Sequence, residues 1–272
     1  MSRIRNFFHR YAGGSGAYTG TITIPPPPPP PPPPTGSGTF TPASLANLTL
    51  WLDASDDSTI FLGSGTNVSQ WNDKSTSGAN VSESSSGTQP AYVATGLGGL
   101  PAILFAGYKH LTGLSNFMDA ATAGTVIYVY ATDNSAGDYS AAPIQNFCSD
   151  NGAGGSDFLP WADETYQITF GSTTQNRWSG YVTDDPSPHV WATTSAAGAW
   201  QFYKDNTSLF STTTNTVDFS QMGTGEGFIV GNANNGGVNS GYLSEVILYS
   251  RQLTSDELTQ VYTYLQAKWG TP

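Results

Sequence analysis

Three aromatic residues in the middle of the chain have the neighbours expected of a sugar-binding site. Each ring is flanked by polar, glycine-rich sequence, and an aromatic face can pack on a sugar ring while nearby amides hydrogen-bond to its hydroxyls. The candidate glycan-binding residues are Tyr139, Trp161, Trp178 and Asn151. Packing in an ordinary core is the alternative interpretation of each ring. Because connecting loops often carry function, binding is the activity that the sequence favours.

The loop at residues 149–157 has the composition of a calcium site. Its sequence, SDNGAGGSD, combines glycines with carboxylate and amide oxygens, which are the ligands that Ca²⁺ prefers. The candidate ligands are Asp150, Asn151 and Asp157. A second acidic group consists of Asp53, Asp56 and Asp57. A solvated acidic turn is the alternative interpretation, so calcium is the one cofactor that the sequence leaves open.

The sequence offers little for hydrolytic, nucleotide or zinc chemistry. The adjacent pairs Asp163–Glu164 and Asp184–Asp185 would point to opposite faces of an extended chain, so neither makes a glycosidase pair. The chain has no G-x-S-x-G elbow, P-loop or dinucleotide fingerprint. Its histidines are scattered and Cys148 is single, which argues against zinc and excludes a disulfide framework. We therefore predict that the protein is not an enzyme.

The composition is that of a large β-sandwich with an acidic surface. The 272 residues are 11% charged and 12% aromatic, and glycine, serine, threonine and asparagine are abundant. The net charge of −11 is uneven, because the first 52 residues carry +3 and the remainder, with six basic and twenty acidic residues, carries −14. Such a body should not bind nucleic acid. The sequence contains no apolar stretch of 18 residues, so we predict no membrane span. The N-terminus lacks the apolar region of a secretory signal.

A run of ten prolines, Pro25 to Pro34, separates a short basic arm from the body. The run should adopt polyproline II and form a strut of roughly 30 Å, a ligand for SH3 or WW modules being the alternative. The arm has apolar residues at helical spacing that could dock on a partner, with a disordered terminus as the alternative. The predicted anchoring residues are Arg3, Ile4, Arg5, Phe7, Phe8, Arg10 and Tyr11. We therefore predict an anchoring arm (1–24), a strut with a Gly/Ser hinge (25–41) and a β-sandwich (42–272).

Ten short stretches of the body have the composition of strands bounded by turn residues. They lie at 48–53, 68–73, 102–105, 125–131, 166–170, 190–194, 200–204, 209–211, 228–230 and 242–250. Residues 125–131 (TVIYVYA) are apolar on both faces, which predicts a central strand. Because strands and helices do not alternate, we predict an all-β, antiparallel jelly-roll sandwich.

One helix is predicted, close to the C-terminus. Thr254 is a good N-cap, and Glu257 three residues later completes a capping box. Leu253 and Leu258 have the spacing of a hydrophobic staple, and Gly270 should end the helix. The apolar stripe consists of Leu258, Val261, Tyr262, Leu265 and Trp269. The helix should therefore lie on a face or an end of the sandwich.

The closing segment, residues 241–270, resembles the end of concanavalin A-like lectin/glucanase domains of the laminin-G-like group. The strand motif G-x-[IL]-x-E-[VI]-x-[IL]-Y-x-R-x-L is matched by Gly241, Leu243, Glu245, Val246, Leu248, Tyr249, Arg251 and Leu253. Residues 50–56 and 68–75, near the start of the body, also resemble that family, whereas the middle of the chain does not. The resemblance implies a jelly-roll fold, glycan or protein binding, and a calcium ion near the rim of the sandwich.

The glucanase branch of that family carries its carboxylates in an E-x-D-x-x-E pattern on one strand. No glutamate of this chain begins that pattern. We interpret Glu245, which is alone in its strand, as a structural residue that fixes a neighbouring loop by hydrogen bonds.

Arm, strut and body together predict a bacteriophage virion protein on the particle surface. The arm would bind other capsid or tail proteins, and the projected body would bind a host surface polysaccharide. A homo-oligomer is expected because virion appendages are commonly symmetric. Two alternatives are a decoration protein without a ligand and a glycan depolymerase on the same fold.

Overall fold

The computed structural model describes residues 39–113, 118, 120–132, 144–145, 157–159, 165–174, 176–179, 187–219, 228–231 and 240–272. The chain divides into the units Met1–Thr39 and Phe40–Pro272, and all the elements below belong to the second unit. The predicted anchoring residues and the proline run lie outside the described residues.

Nearly all regular structure in the described residues is β-strand. The strands, in chain order, are β1 (Leu48–Asp53), β2 (Ile60–Leu62), β3 (Val68–Trp71), β4 (Val81–Ser82), β5 (Ala91–Leu97), β6 (Leu100–Ala106), β7 (His110–Thr112), β8 (Ala123–Thr132), β9 (Ile144–Gln145), β10 (Asp157–Phe158), β11 (Tyr166–Ile168), β12 (Asn176–Trp178), β13 (His189–Ala196), β14 (Ala199–Lys204), β15 (Thr207–Thr212), β16 (Ile229–Gly231) and β17 (Ser240–Tyr249). Short 3₁₀ helices lie at Pro42–Ser44 and Asp57–Thr59, and the α-helix α1 is Ser255–Trp269.

The strands form two antiparallel sheets. The first has the order β15-β14-β13-β8-β17-β6-β5, and β1 pairs with the part of β17 that β6 leaves free. The second has the order β12-β11-β10-β9-β16-β7-β4-β3-β2, so that β12 and β2 are its two edge strands. Each of the ten predicted stretches overlaps a strand, and the predicted antiparallel β-sandwich is confirmed.

The first sheet is buried on both faces, as its central strand shows. In β8, Val126 and Tyr128 belong to the core between the sheets. Ile127 and Val129, which point the other way, belong to a second core beneath α1. The prediction of a central strand from an apolar run is therefore confirmed.

Helix α1 begins and ends as predicted. The hydroxyl of Thr254 accepts a hydrogen bond from the Glu257 amide at 3.3 Å, and the Glu257 carboxylate accepts one from the Thr254 amide at 2.9 Å. Two guanidinium N–H groups of Arg251 donate to the same carboxylate at 2.7 Å each, and this pairing is the main reason that the pKa of Glu257 falls to about 2. Gly270 ends the helix in the left-handed region at φ 65°. Among the described residues, no helix has both the length and the apolar character needed to cross a membrane.

Candidate functional site

Strands β2, β3 and β4 present alternate rows of side chains to the core and to solvent. One row across the three strands is Ile60, Trp71 and Val81, and it packs against the core between the sheets. The next row is Phe61, Gln70 and Ser82, and the pleat turns it outward. Since Trp71 and Val81 are fully buried, the register of these strands is fixed.

A surface groove with a volume of about 460 Å³ lies over the outward row. This Phe61 groove is lined by Phe61, Leu62, Ser69, Gln70, Ser82, Glu83 and Ser84. The adjacent residues Phe61 and Leu62 are 48% and 47% exposed. Tyr108, at 54%, is the other large apolar residue with such exposure in the described part of the chain. The exposed Phe61 and Leu62, together with the polar groups beside them, make this groove the candidate binding surface.

Glu83 is the acidic group of the Phe61 groove, and it is held in place on several sides. Its Oε1 accepts a hydrogen bond from the Ser85 amide at 2.7 Å, and its Oε2 lies 2.8 Å from Nε2 of His110. Its own amide donates to the Ser69 carbonyl at 2.9 Å. The Nδ1 of His110 lies 3.2 Å from the Tyr108 carbonyl, which fixes the ring. A carboxylate has about four acceptor positions, so Glu83 keeps some for a ligand.

The remaining polar groups of the groove are hydroxyls and one amide. The Ser69 hydroxyl donates to the Phe61 carbonyl at 3.0 Å, and Nε2 of Gln70 donates to Asn72 at 2.6 Å. These bonds orient both side chains and leave lone pairs on their oxygens. The exposed Ser82 and Ser84 lie beside them in the lining. The arrangement combines one aromatic ring with several hydrogen-bonding groups on a rigid sheet.

The sequence analysis did not identify the Phe61 groove. A signal was present, because Ile60, Phe61 and Leu62 are three consecutive apolar residues ahead of the glycine-rich turn Gly63–Gly65. Successive side chains of a strand point to opposite faces, so at least one of the three must face outward. The sequence alone did not indicate that these residues form an edge strand.

Of the predicted glycan-binding residues, the structure describes Trp178. It lies in β12, at the other edge of the second sheet, and is half-buried against the core. Its ring stacks on Tyr166 with centroids 5.3 Å apart and an interplanar angle of 20°. One face of the ring is therefore used for packing, and a role in glycan binding stays a prediction. Tyr139, Trp161 and Asn151 lie outside the described residues.

The predicted calcium ligands cannot be placed as a group. Asp157 begins β10, where it pairs with Ile168 and Ile144, and Asp150 and Asn151 lie outside the described residues. In the second acidic group, Lys74 Nζ lies 2.8 Å from both Asp53 and Asp56, so a lysine occupies the position that a cation would take. Within the described residues, no three acidic, histidine or cysteine side chains are grouped as a metal site.

Glu245 is fully buried beneath α1 and accepts hydrogen bonds from four side chains. Its Oε1 accepts from the indole N–H of Trp51 at 2.7 Å and from the hydroxyl of Tyr264 at 3.1 Å. Its Oε2 accepts from Lys268 at 2.7 Å and from the indole N–H of Trp269 at 2.6 Å. Glu245 therefore joins β17 to β1 and to the helix, rather than fixing a loop as the sequence interpretation had it.

A second carboxylate, Asp53, is paired with Glu245 across β1 and β17, and Lys268 bridges the two. Burial raises the pKa of Glu245, and Lys268 opposes that rise without cancelling it. Burial also acts to raise the pKa of Asp53, but Lys268 and Lys74 outweigh it and the pKa lies below its ordinary value. Asp53 and Glu245 are 3% and 0% exposed, and Lys268 of α1 contacts both carboxylates. The pair therefore helps to hold α1 on the sheet.

Comparison with known proteins shows similarity in fold but not in sequence. No protein-family profile matches the chain, and no curated protein is similar to it in sequence. The structure is similar to the Trypanosoma rangeli sialidase in complex with sialic acid, with a TM-score of 0.55 and 14% identity over 84% of this chain and 34% of that one. It is also similar to the binding domain of Paraclostridial mosquitocidal protein 1, with a TM-score of 0.58 and 15% identity over 83% of this chain and 55% of that one.

The binding domain of botulinum neurotoxin serotype G is a third similar structure, with a TM-score of 0.55 and 12% identity over 83% of this chain and 54% of that one. The chain thus spans about a third of the sialidase and about half of the two toxin domains. At these identities, the similarity establishes a shared β-sandwich fold.

The prediction that the protein is not an enzyme is contradicted by these similarities, because the sialidases are enzymes. That prediction rested on sequence patterns, such as the absence of E-x-D-x-x-E. Catalytic groups are brought together in space and need not be close in sequence, so a missing linear pattern does not exclude catalysis.

Proposed function

We propose that Phe40–Pro272 is a carbohydrate-binding module whose ligand lies in the Phe61 groove. The observation that carries the proposal is a half-exposed phenylalanine beside a fixed carboxylate, with an amide and hydroxyls between them. A volume of about 460 Å³ would hold one or two sugar rings, and it falls within the range of small-molecule sites.

The lining matches the two kinds of surface that a sugar presents. The C–H face of a pyranose is apolar and can cover the exposed ring of Phe61. The hydroxyls at its edge are donors and acceptors, and they would meet Glu83, Gln70 and the groove serines. An aromatic ring alone would suit many apolar ligands, so the adjacent polar groups are what favour a carbohydrate.

The groove also lies on strands whose inward side chains are packed in the core. Trp71 and Val81 anchor the floor strands in the core, and the contacts of Glu83 to Ser85 and His110 fix its carboxylate. A ligand would therefore bind without first ordering the groups that contact it, which favours affinity. The resemblance of residues 241–270 to concanavalin A-like lectin domains and the fold shared with toxin binding domains support the same proposal.

Phe61→Ala should weaken glycan binding by about tenfold or more, because removing a central aromatic contact typically costs that much affinity. The full chain would be screened on an array of neutral, amino and acidic oligosaccharides, and affinities for the ligands found would be measured by titration calorimetry. Tyr108→Ala is the matched control, since Tyr108 is equally exposed but does not line the groove. Binding that is unchanged in Phe61→Ala and lost in Tyr108→Ala would place the site elsewhere.

We further propose that the arm and strut display this module on a bacteriophage particle, where it binds host polysaccharide. The features that favour this role are the basic, apolar arm, the run of prolines and the acidic body. Deleting residues 1–24 should abolish incorporation into particles, as judged by immunoblotting of purified virions. A chain lacking five of the ten prolines keeps the arm and should still be incorporated, because the predicted strut would be shortened by only roughly 15 Å. Incorporation of the chain without its arm would contradict the anchoring role.

Two other functions give different results in the same experiments. A decoration protein without a ligand would be incorporated into particles and would bind no glycan on the array. A depolymerase on this fold would release reducing ends from a polysaccharide that it binds.

A further inference from the structure

We infer that the Phe61 groove selects uncharged sugars over acidic ones, an inference that rests on the proposed function. It follows from the charges and the hydrogen-bonding groups that line the groove. The fold is shared with a sialidase bound to sialic acid, which is an acidic sugar, so the selectivity does not follow from the fold.

The charge of the groove disfavours acidic ligands. Glu83 is the acidic lining residue, and no lysine or arginine belongs to the lining. The one basic group that contacts Glu83 within the described residues is His110, at 2.8 Å. Glu83 is thus the one formally charged residue of the lining, and the imidazole beside it is already in contact with that carboxylate. No cation of the lining is free to pair with the carboxylate or sulfate of an acidic sugar.

Lys109 and Lys74 are both held by contacts away from the groove lining. Lys109, beside His110, donates to the Gly87 carbonyl at 2.7 Å. Lys74 contacts Asp53 and Asp56 and lies over the ring of Trp51. Recruiting either ammonium to the groove would break these contacts. The charge of −14 on residues 53–272 adds a long-range repulsion of anionic polymers.

The hydrogen-bonding groups of the groove also favour neutral sugars. Glu83 offers acceptor positions only, and Oε1 of Gln70 is an acceptor as well. One amide N–H of Gln70 is already donated to Asn72 at 2.6 Å. Sugar hydroxyls can donate to these acceptors, whereas a uronic acid carboxylate brings two more acceptors to the same place. Ser82 and Ser84 can donate as well as accept, so the groove suits ligands whose hydroxyls do both, and neutral hexoses are the simplest of these.

Matched pairs of sugars test the inference. Oligosaccharides of glucose, galactose and mannose would each be titrated beside their uronic acid counterparts, which differ only at C6. We expect the full chain to bind at least one neutral oligosaccharide about tenfold more tightly than its uronic counterpart. We also expect the neutral affinity to change little with salt, since no ion pair forms.

Two variants assign the selectivity to the groove. Ser82→Lys adds a cation at an exposed lining position and should shift the ratio of uronic acid to neutral affinity by about tenfold towards the uronic acid. Glu83→Gln should reduce the ratio of neutral to uronic acid affinity. A denaturation curve would show whether loss of the His110 contact affects folding. Ser82→Lys avoids that contact, so it keeps the test informative if Glu83→Gln unfolds.

The outcomes separate this inference from the proposed function. Binding of uronic acids as tight as that of the neutral sugars, and lost in Phe61→Ala, would overturn the selectivity and leave the glycan-binding function standing. Binding of no sugar in either series would overturn both. A lysine-rich peptide that binds in the groove more tightly than any sugar would also overturn both, since it would make Glu83 a site for cations.

Discussion

Replacing Glu245 by alanine should lower the free energy of unfolding by about 4 kcal/mol, within the range for breaking a buried charge pair. The substitution leaves the indole N–H groups of Trp51 and Trp269 without their acceptor beneath α1, and Lys268 keeps only Asp53 of its two carboxylate partners. Unpaired buried donors keep the full cost of their desolvation. Urea unfolding followed by tryptophan fluorescence would measure the loss, because Trp51 and Trp269 both contact Glu245.

Asp256→Asn is the control for this prediction, since Asp256 is an exposed carboxylate in the first turn of the same helix. Its cost should be no more than about 0.5 kcal/mol. Glu245→Gln should fall between the two, because an amide keeps one acceptor but lacks the charge that Lys268 faces. If Glu245→Ala were no more destabilising than Asp256→Asn, then Glu245 would not be what holds α1 to β1 and β17.

Gly231→Ala should destabilise the sandwich by about 3 kcal/mol through two effects that add. Gly231, in β16, has a φ of 87°, a conformation that side chains with a Cβ rarely adopt. A Cβ there would also lie 2.2 Å from Phe105 of the other sheet and 2.6 Å from the Lys109 carbonyl. The sheets would have to separate locally, and β7 would shift with the His110 that contacts Glu83.

Gly99→Ala separates the two effects. Gly99 lies in the tight turn between β5 and β6 with a φ of 82°, and a Cβ there would meet no atom within 4 Å. Gly99→Ala should therefore lower the free energy of unfolding by about 1 kcal/mol, through backbone strain alone. Equal losses of stability in Gly231→Ala and Gly99→Ala, measured by urea unfolding, would show that Phe105 does not press on β16.

The ends of the body could be predicted from sequence because their patterns are local. The capping box of Thr254 and Glu257 is read within four residues, and both of its hydrogen bonds are present. The uninterrupted apolar run of β8 likewise predicts burial on both faces of that strand, and the spacing of the apolar stripe predicts which face of α1 is buried. Local patterns therefore gave the fold class and the position of the helix.

The sites depend on contacts between residues far apart in the chain, which local patterns do not contain. Glu245 meets Trp51 from 194 positions away, so its interpretation as the support of a loop missed the helix and β1. The Phe61 groove depends on the pairing of β2 with β3 and β4, which places Phe61 beside Gln70 and Ser82. Trp178 was selected for its polar neighbours in sequence, yet its ring stacks on Tyr166.

Amide chemical-shift mapping would show whether a carbohydrate binds over β2, β3 and β4. The full chain, labelled with ¹⁵N and deuterium, would be titrated with the neutral oligosaccharide that binds best. We expect shifts concentrated at residues 60–62, 69–70 and 82–84, with little change along α1. Saturable shifts that leave these strands unchanged and cluster around Trp178, or anywhere else in the sandwich, would contradict it.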